Sequence, residues 1–177
     1  LDGTAPIAWA PSVSPSERFH VIPRAITEEM IQEILDGYGK VAKRLEKAGV
    51  DGVEIVASHG YLPAQFLNPT VNRREDKWGG SDQNRRRFLV EAISKARATT
   101  GSEFIVGLRI SGDEQYEDGF SKSATLDTIK HVSSDIDYVS LVDGTSATLG
   151  GSVHIVPPMY YEPGYGAPFS ARLKEII

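Results

Sequence analysis

The residues best equipped for chemistry sit where short apolar runs end. Val53-Glu54-Ile55-Val56 is a β-type run that passes through Ala57 and Ser58 into His59-Gly60-Tyr61. An imidazole at a strand end can donate a hydrogen bond to a substrate oxygen or accept a proton near neutral pH. Gly60 lets the backbone turn sharply, so His59 and Tyr61 can face one pocket, with the phenol as proton donor or orienting group. Each has a bland alternative, a histidine bonded within its own loop and a packed tyrosine ring with a wet hydroxyl. Arg109 interrupts the apolar run 104–110 near its end. A guanidinium there needs an anionic or multiply accepting partner, and Asp113 or Glu114 would serve if the partner is structural. Glu54 points away from its apolar neighbours and is expected to pair with a cation. Asp143 ends a later run, where it can orient His59 or a substrate amine, or cap the following turn, which is the favoured role. His59, Asp143 and His154 lack the paired spacing of a common metal motif, so no metal is expected.

These residues need strands to carry them, and the surrounding pattern supplies them. Thr27 is a good N-cap for a helix in which Ile31, Ile34, Leu35, Tyr38, Val41, Ala42 and Leu45 make one apolar stripe that stops at Gly49. Asp51-Gly52 leads straight into the strand before His59. Ser81 or Asp82 caps a second helix with Phe88, Leu89, Ala92, Ile93 and Ala96 inside, and Gly101 ends it. A strand over 104–110, a helix over 123–133, a strand over 138–142 and a helix from about 169 complete the order. Residues 1–25 and 144–168 read as loops. Helix, strand, helix, strand, helix, strand, helix demands parallel strands joined by right-handed crossovers, an α/β class.

The loop between His59 and the second helix is unusually rich in Asn, Arg and Asp. Asn72, Arg74, Asp76, Asn84 and Arg85 are expected to staple it, with Trp78-Gly79-Gly80 as its anchor. The compound stretch AGVDGVEIVASHGYLPAQFLNPTVNRREDKWGGSDQNRRRFLVEAI, followed by GLRIS at 107–111, resembles the central segment of the old yellow enzyme family of FMN-dependent oxidoreductases. The similarity is to the larger bacterial branch, with 2,4-dienoyl-CoA reductase, trimethylamine dehydrogenase and N-methylproline demethylase. It implies part of a (β/α)8 TIM barrel, roughly strands 4 to 6 with flanking helices, so that the chain, 1–177, is expected to be one partial domain incomplete at both ends. It further implies FMN as cofactor, His59 and Tyr61 at the substrate, and Arg109 against the flavin. NAD(P)H is an implied electron donor, and any 4Fe-4S cluster would lie outside this chain. Where the family commonly has histidine, this chain has Val56. That substitution removes one donor from the pocket and leans toward oxidation or demethylation of N-methylated amines, with ene-reduction as the alternative.

Composition narrows the other classes. A net charge of -5 and a pI near 5.4 argue against a nucleic-acid partner. No apolar run is long enough for a membrane helix, and no signal pattern opens the sequence, so the expected location is cytoplasmic. The absence of cysteine excludes a disulfide, a thiolate zinc site and an iron–sulfur cluster within these residues. The expected partner is a small-molecule substrate; a homo-oligomer stays open. A metal-dependent barrel hydrolase and a non-catalytic module are the remaining rivals.

Overall fold

In the computed structural model, which describes residues 7–175, the chain opens with a strap. Trp9–Ala10 (β1) pairs in parallel with Arg24–Ala25 (β2), a short ladder inside a segment whose composition reads as loop. The rest of that reading, residues 1–6, lies outside the described residues. Helix α1 (Glu28–Lys47) starts as its cap requires: the Met30 N–H donates to Thr27 Oγ1 at 3.3 Å, with Glu28 and Glu29 at the positive end of the dipole. Strand β3 (Gly52–Ala57), helix α2 (Leu62–Leu67), helix α3 (Asp82–Thr99), strand β4 (Ile105–Asp113), helix α4 (Lys122–Val132), strand β5 (Tyr138–Asp143) and helices α5 (Leu149–Val153) and α6 (Ala167–Lys174) follow. The two helices not expected, α2 and α5, are six and five residues long, too short to show a period. Pro63 in the first turn of α2 is the local signal that a helix begins there.

The sheet runs β3-β4-β5, all parallel, with Val56 opposite Arg109 and Arg109 opposite Ser140. Strand alternation sorts the side chains cleanly. Ile55, Ala57, Val106, Leu108 and Ile110 are buried against Ala42 of α1, Leu89, Ile93 and Ala96 of α3, and Ile129 and Val132 of α4. Burying these side chains is the main stabilising term, at roughly 1.5–3 kcal/mol for each large aliphatic residue before chain entropy is subtracted. All three long helices therefore cover the same face. The opposite face carries Glu54, Val56, Gly107, Arg109, Ser111, Tyr138, Ser140 and Val142, which is the inward-facing set of a barrel rather than the second helix-covered face of a doubly wound sheet.

A second core holds the long loop down. Phe66 stacks on Phe88 with ring centroids 4.3 Å apart, and the fully buried Trp78 meets both edgewise. Asn72, also buried, donates from Nδ2 to the carbonyls of Phe66 at 2.8 Å and Trp78 at 2.7 Å. Arg74 Nη1 donates to the carbonyls of Pro11 and Ile26, and its other side forks onto Asp76. Asn72, Arg74, Asp76 and Asn84, whose Nδ2 donates to the Asp76 carbonyl, form the expected stapling network, while Arg85 pairs with Asp82 in its own helix and Arg87 Nε donates to the Lys77 carbonyl in its place. The network reaches further than its own loop, because Arg74 and Ser12, which accepts from the Arg73 N–H at 2.9 Å, tie the strap to it.

Candidate active site

The carboxyl ends of β3 and β4 meet at His59. Its backbone is left-handed at φ 57°, followed by Gly60 at φ 80°, so two residues reverse the chain without a longer loop. A side chain at Gly60 would overlap Ser146, which explains the glycine. The His59 N–H donates to Ser111 Oγ at 3.3 Å, and the Ser111 hydroxyl donates to the Gly144 carbonyl at 3.0 Å. The Ser146 N–H returns to the His59 carbonyl at 3.2 Å. Ser111, buried at the end of β4, thus binds the ends of β3 and β5 into one rim. With its backbone strained and held at both polar groups, His59 has a fixed ring base.

The ring's Nε2 is buried and has no hydrogen-bond partner among the described residues. Burial holds the imidazole below its ordinary pKa, and the charges of Arg109 and Arg18 push it the same way. Near neutral pH the ring is neutral, with one nitrogen able to donate and the other able to accept. Such an orphaned group is costly to a fold unless something supplies the missing bond.

Arg109 stands one strand over. Its Nε lies 2.7 Å from Glu54 Oε1, an ion pair whose N–H is not aimed at the oxygen, so the contact is Coulombic rather than directional. This corrects the expected structural partners: Asp113 faces Lys122 at 3.6 Å, and Glu114 turns into the loop core. Neither terminal nitrogen of Arg109 has a protein partner among the described residues, and the side chain is 43% exposed. Glu54 does pair with a cation, and its second oxygen accepts from the Tyr138 hydroxyl at 3.0 Å. Val56, half-buried, fills the inward position beside Arg109.

The remaining expected site residues are Tyr61 and Asp143. Tyr61 is the N-cap of α2, is 62% exposed, and its hydroxyl has no partner among the described residues. Asp143 does not cap the following turn: its carboxylate lies against the Asp113 backbone and lines a cavity of about 560 Å³ with His154, Tyr161 and Tyr165. Burial and the neighbouring Asp113 raise its pKa. His154 shares its ring nitrogens with the hydroxyls of Tyr165 at 3.1 Å and Tyr161 at 3.4 Å. No group of three metal-ligating side chains is found among the described residues.

Two features were not anticipated. Tyr138 reaches Glu54 by lying across Gly107, and a glycine inside an apolar strand is the sequence signal for such a close approach. Glu114 is buried beside a mouth cavity of about 740 Å³ that Trp9, Phe19, Gln65 and Tyr116 also line. Its Oε2 accepts from Asn68 Nδ2 at 2.6 Å and the Phe120 N–H at 2.8 Å, and burial pushes its pKa up to about 7. Nothing in the spacing of a loop acid distinguishes one that turns inward.

Comparison with known proteins gives the family and the fold. Residues 4–163 match the model of the NADH:flavin oxidoreductase / NADH oxidase family. The chain is 35% identical to the N,N-dimethylglycine/sarcosine dehydrogenase of Chromohalobacter salexigens, over 96% of this chain and 25% of that protein. It is 33% identical to the multifunctional alkene reductase/demethylase of Caballeronia cordobensis, again over 96% of this chain and 25% of the other. A solved 2-naphthoyl-CoA reductase in complex with 2-naphthoyl-CoA superposes with a TM-score of 0.86 at 27% identity, covering 98% of this chain and 26% of that one. The chain thus spans about a quarter of the length of each of these relatives. Its sheet and helices are part of a (β/α)8 barrel, and the chain belongs to the NADH:flavin oxidoreductase / NADH oxidase family, the old yellow enzymes.

Proposed function

We propose that this chain forms part of an FMN-dependent oxidoreductase that takes hydride from N-methylated amines, with His59 and Val56 at the substrate and Arg109 toward the flavin. The observation that carries the reading is the buried, unpartnered Nε2 of His59 beside Arg109 at the carboxyl ends of β3 and β4. That edge offers one hydrogen-bonding ring and one cation with free terminal nitrogens, groups that suit a flavin and a small polar substrate. When bound, FMN supplies the hydride exchange. Arg109 would neutralise charge that gathers on the flavin's pyrimidine edge during reduction. His59 would hold the polar atom of the substrate, while Val56 excludes water and provides no second donor. Tyr61 would act as proton donor or orienting group, and Asp143 as part of the wider pocket.

Two features favour amine oxidation. An amine loses hydride from its neutral form, and the burial that keeps His59 neutral, helped by the charges of Arg109 and Arg18, also disfavours a protonated amine next to it. A carbonyl or nitro group prepared for reduction gains most from two converging donors, and Val56 leaves one. The dehydrogenase from Chromohalobacter is named for N,N-dimethylglycine and sarcosine, which makes these the natural first substrates to test. Reduction of activated alkenes, driven by NAD(P)H, is the second reading, since the Caballeronia relative is named for both activities.

Stopped-flow measurement of both half-reactions in the FMN-loaded protein tests this. His59→Ala should slow the productive half-reaction by on the order of 30-fold to 1000-fold, the loss of about 2–4 kcal/mol of hydrogen bonding in the transition state. Val56→His should improve reduction of an enone relative to oxidation of N,N-dimethylglycine. Rates within about twofold for His59→Ala would make His59 structural. An unmoved preference in Val56→His would remove the basis for choosing amines.

A further inference from the structure

Glu54, Gly107 and Tyr138 occupy one rung across the three strands, directly before the rung of Val56, Arg109 and Ser140. Each residue of the first rung has a reason for its type. Gly107 has no side chain, so the Tyr138 ring can cross β4; a methyl there would overlap the ring. The crossing carries the Tyr138 hydroxyl to Glu54 Oε2 at 3.0 Å. Glu54 Oε1 is then held 2.7 Å from Arg109 Nε, which leaves both terminal nitrogens of the guanidinium without a partner among the described residues. Gly107 and the three side chains lie on the inward face, opposite the one that α1, α3 and α4 cover. A tyrosine that only needed packing would not have to span a neighbouring strand to a carboxylate.

We propose that Glu54, anchored by Tyr138 across Gly107, is a positioning residue that sets how much of the Arg109 charge acts on reduced FMN. The inference rests on the reading of Arg109 as the residue facing the flavin. Its physical content is simple. A lone guanidinium acts on a distant anion as a full positive charge, whereas a guanidinium with a carboxylate in contact acts as a dipole whose field falls off faster. The pair therefore stabilises the reduced flavin less than a bare arginine would, and it fixes the direction in which the remaining field points. The Tyr138 hydroxyl, donating to the carboxylate, offsets part of the negative end.

The two-electron midpoint potential of the FMN-loaded protein reads this directly, together with the Kd for oxidised FMN from fluorescence quenching. Glu54→Gln keeps the shape and an acceptor for Tyr138 but removes the countercharge. It should favour reduced over oxidised FMN by about tenfold, a rise of about 30 mV for a two-electron couple, while the Kd for oxidised FMN changes less than about threefold. Tyr138→Phe keeps every charge and should lower the potential by a smaller amount. Arg109→Met is measured beside them and should lower it most. A fall with Arg109→Met but an unchanged or lowered potential with Glu54→Gln overturns the role of Glu54 and leaves the Arg109 reading intact. No change with Arg109→Met removes Arg109 from the flavin and this inference with it. If Glu54→Gln does not hold FMN, Tyr138→Phe decides, and a potential equal to that of the unaltered protein overturns the proposal.

Discussion

Glu114 should make the protein less stable as pH rises through neutrality, and Glu114→Gln should remove that dependence. Its carboxyl is only 2% exposed, and the two donors on Oε2, Asn68 Nδ2 and the Phe120 N–H, do not compensate fully for the water it loses. Burial, with Asp113 adding repulsion, raises its pKa from 4.5 to about 7. The sign follows from proton counting: the folded state holds a proton that the unfolded state releases near pH 4.5, so the stabilising contribution is complete below that value. It declines as pH rises and is gone above about 7. At about 1.4 kcal/mol per pH unit, the loss is on the order of 3 kcal/mol, a large share of the roughly 5–15 kcal/mol available to a domain. In Glu114→Gln the carbonyl oxygen can keep both donors, the amide takes the shape of the protonated acid, and no titration remains. Urea unfolding of both proteins at pH 5 and pH 8 gives the comparison. The variant's advantage should grow by about 2–3 kcal/mol between those values. Parallel behaviour at the two pH values would show that Glu114 is ionised at little cost, and that burial does not dominate at this site.

Other outcomes follow from single residues. Asn72→Ala should cost about 2–3 kcal/mol, because two carbonyls at the ends of the long loop lose their donor inside a dry core, and a cost below about 0.5 kcal/mol in the same urea assay would count against it. Gly107→Ala should lower the melting temperature and free Tyr138 from Glu54, which a shift in tyrosine absorbance would register; an unchanged protein would mean that the ring has room to yield. His59, with its pKa lowered by burial and by Arg109, should titrate below pH 6.5 by NMR, and a midpoint above that value would contradict the electrostatics of the site.

Local chemistry wrote most of the scaffold into the sequence. Thr27, Ser81 and Ser121 each accept the N–H that a helix start leaves free, and alternation along β3 and β4 decided which residues face the helices. His59 and Arg109 were legible because a polar side chain at the end of an apolar run has few cheap places to go. Glu54 was legible as half of an ion pair, but its partner was not. Strand register decides that Arg109 folds back toward Glu54 instead of forward to Asp113, and register belongs to the sheet. Glu114 was hidden for a related reason, since its neighbour Asn68 is 46 residues away. Tyr61 shows what adjacency in sequence leaves out: two successive positive φ values, at His59 and Gly60, turn the chain between it and the strand, and its side chain stands exposed.

The strap formed by residues 7–25 also bears on the order of assembly. The β3-β4-β5 sheet grows from neighbouring βα units, whereas the strap is fastened by contacts of long reach: Arg73 to Ser12 over 61 residues, Arg74 to Pro11 over 63, and the Leu149 N–H to Glu17 over 132. Closing such loops costs entropy that is recovered only once both ends are already ordered. The strap should therefore dock last and lift first. In native-state hydrogen exchange the amides of Arg73 and Leu149 should exchange well before those of β4, in a small concerted opening that uncovers the mouth cavity while the sheet beneath stays closed.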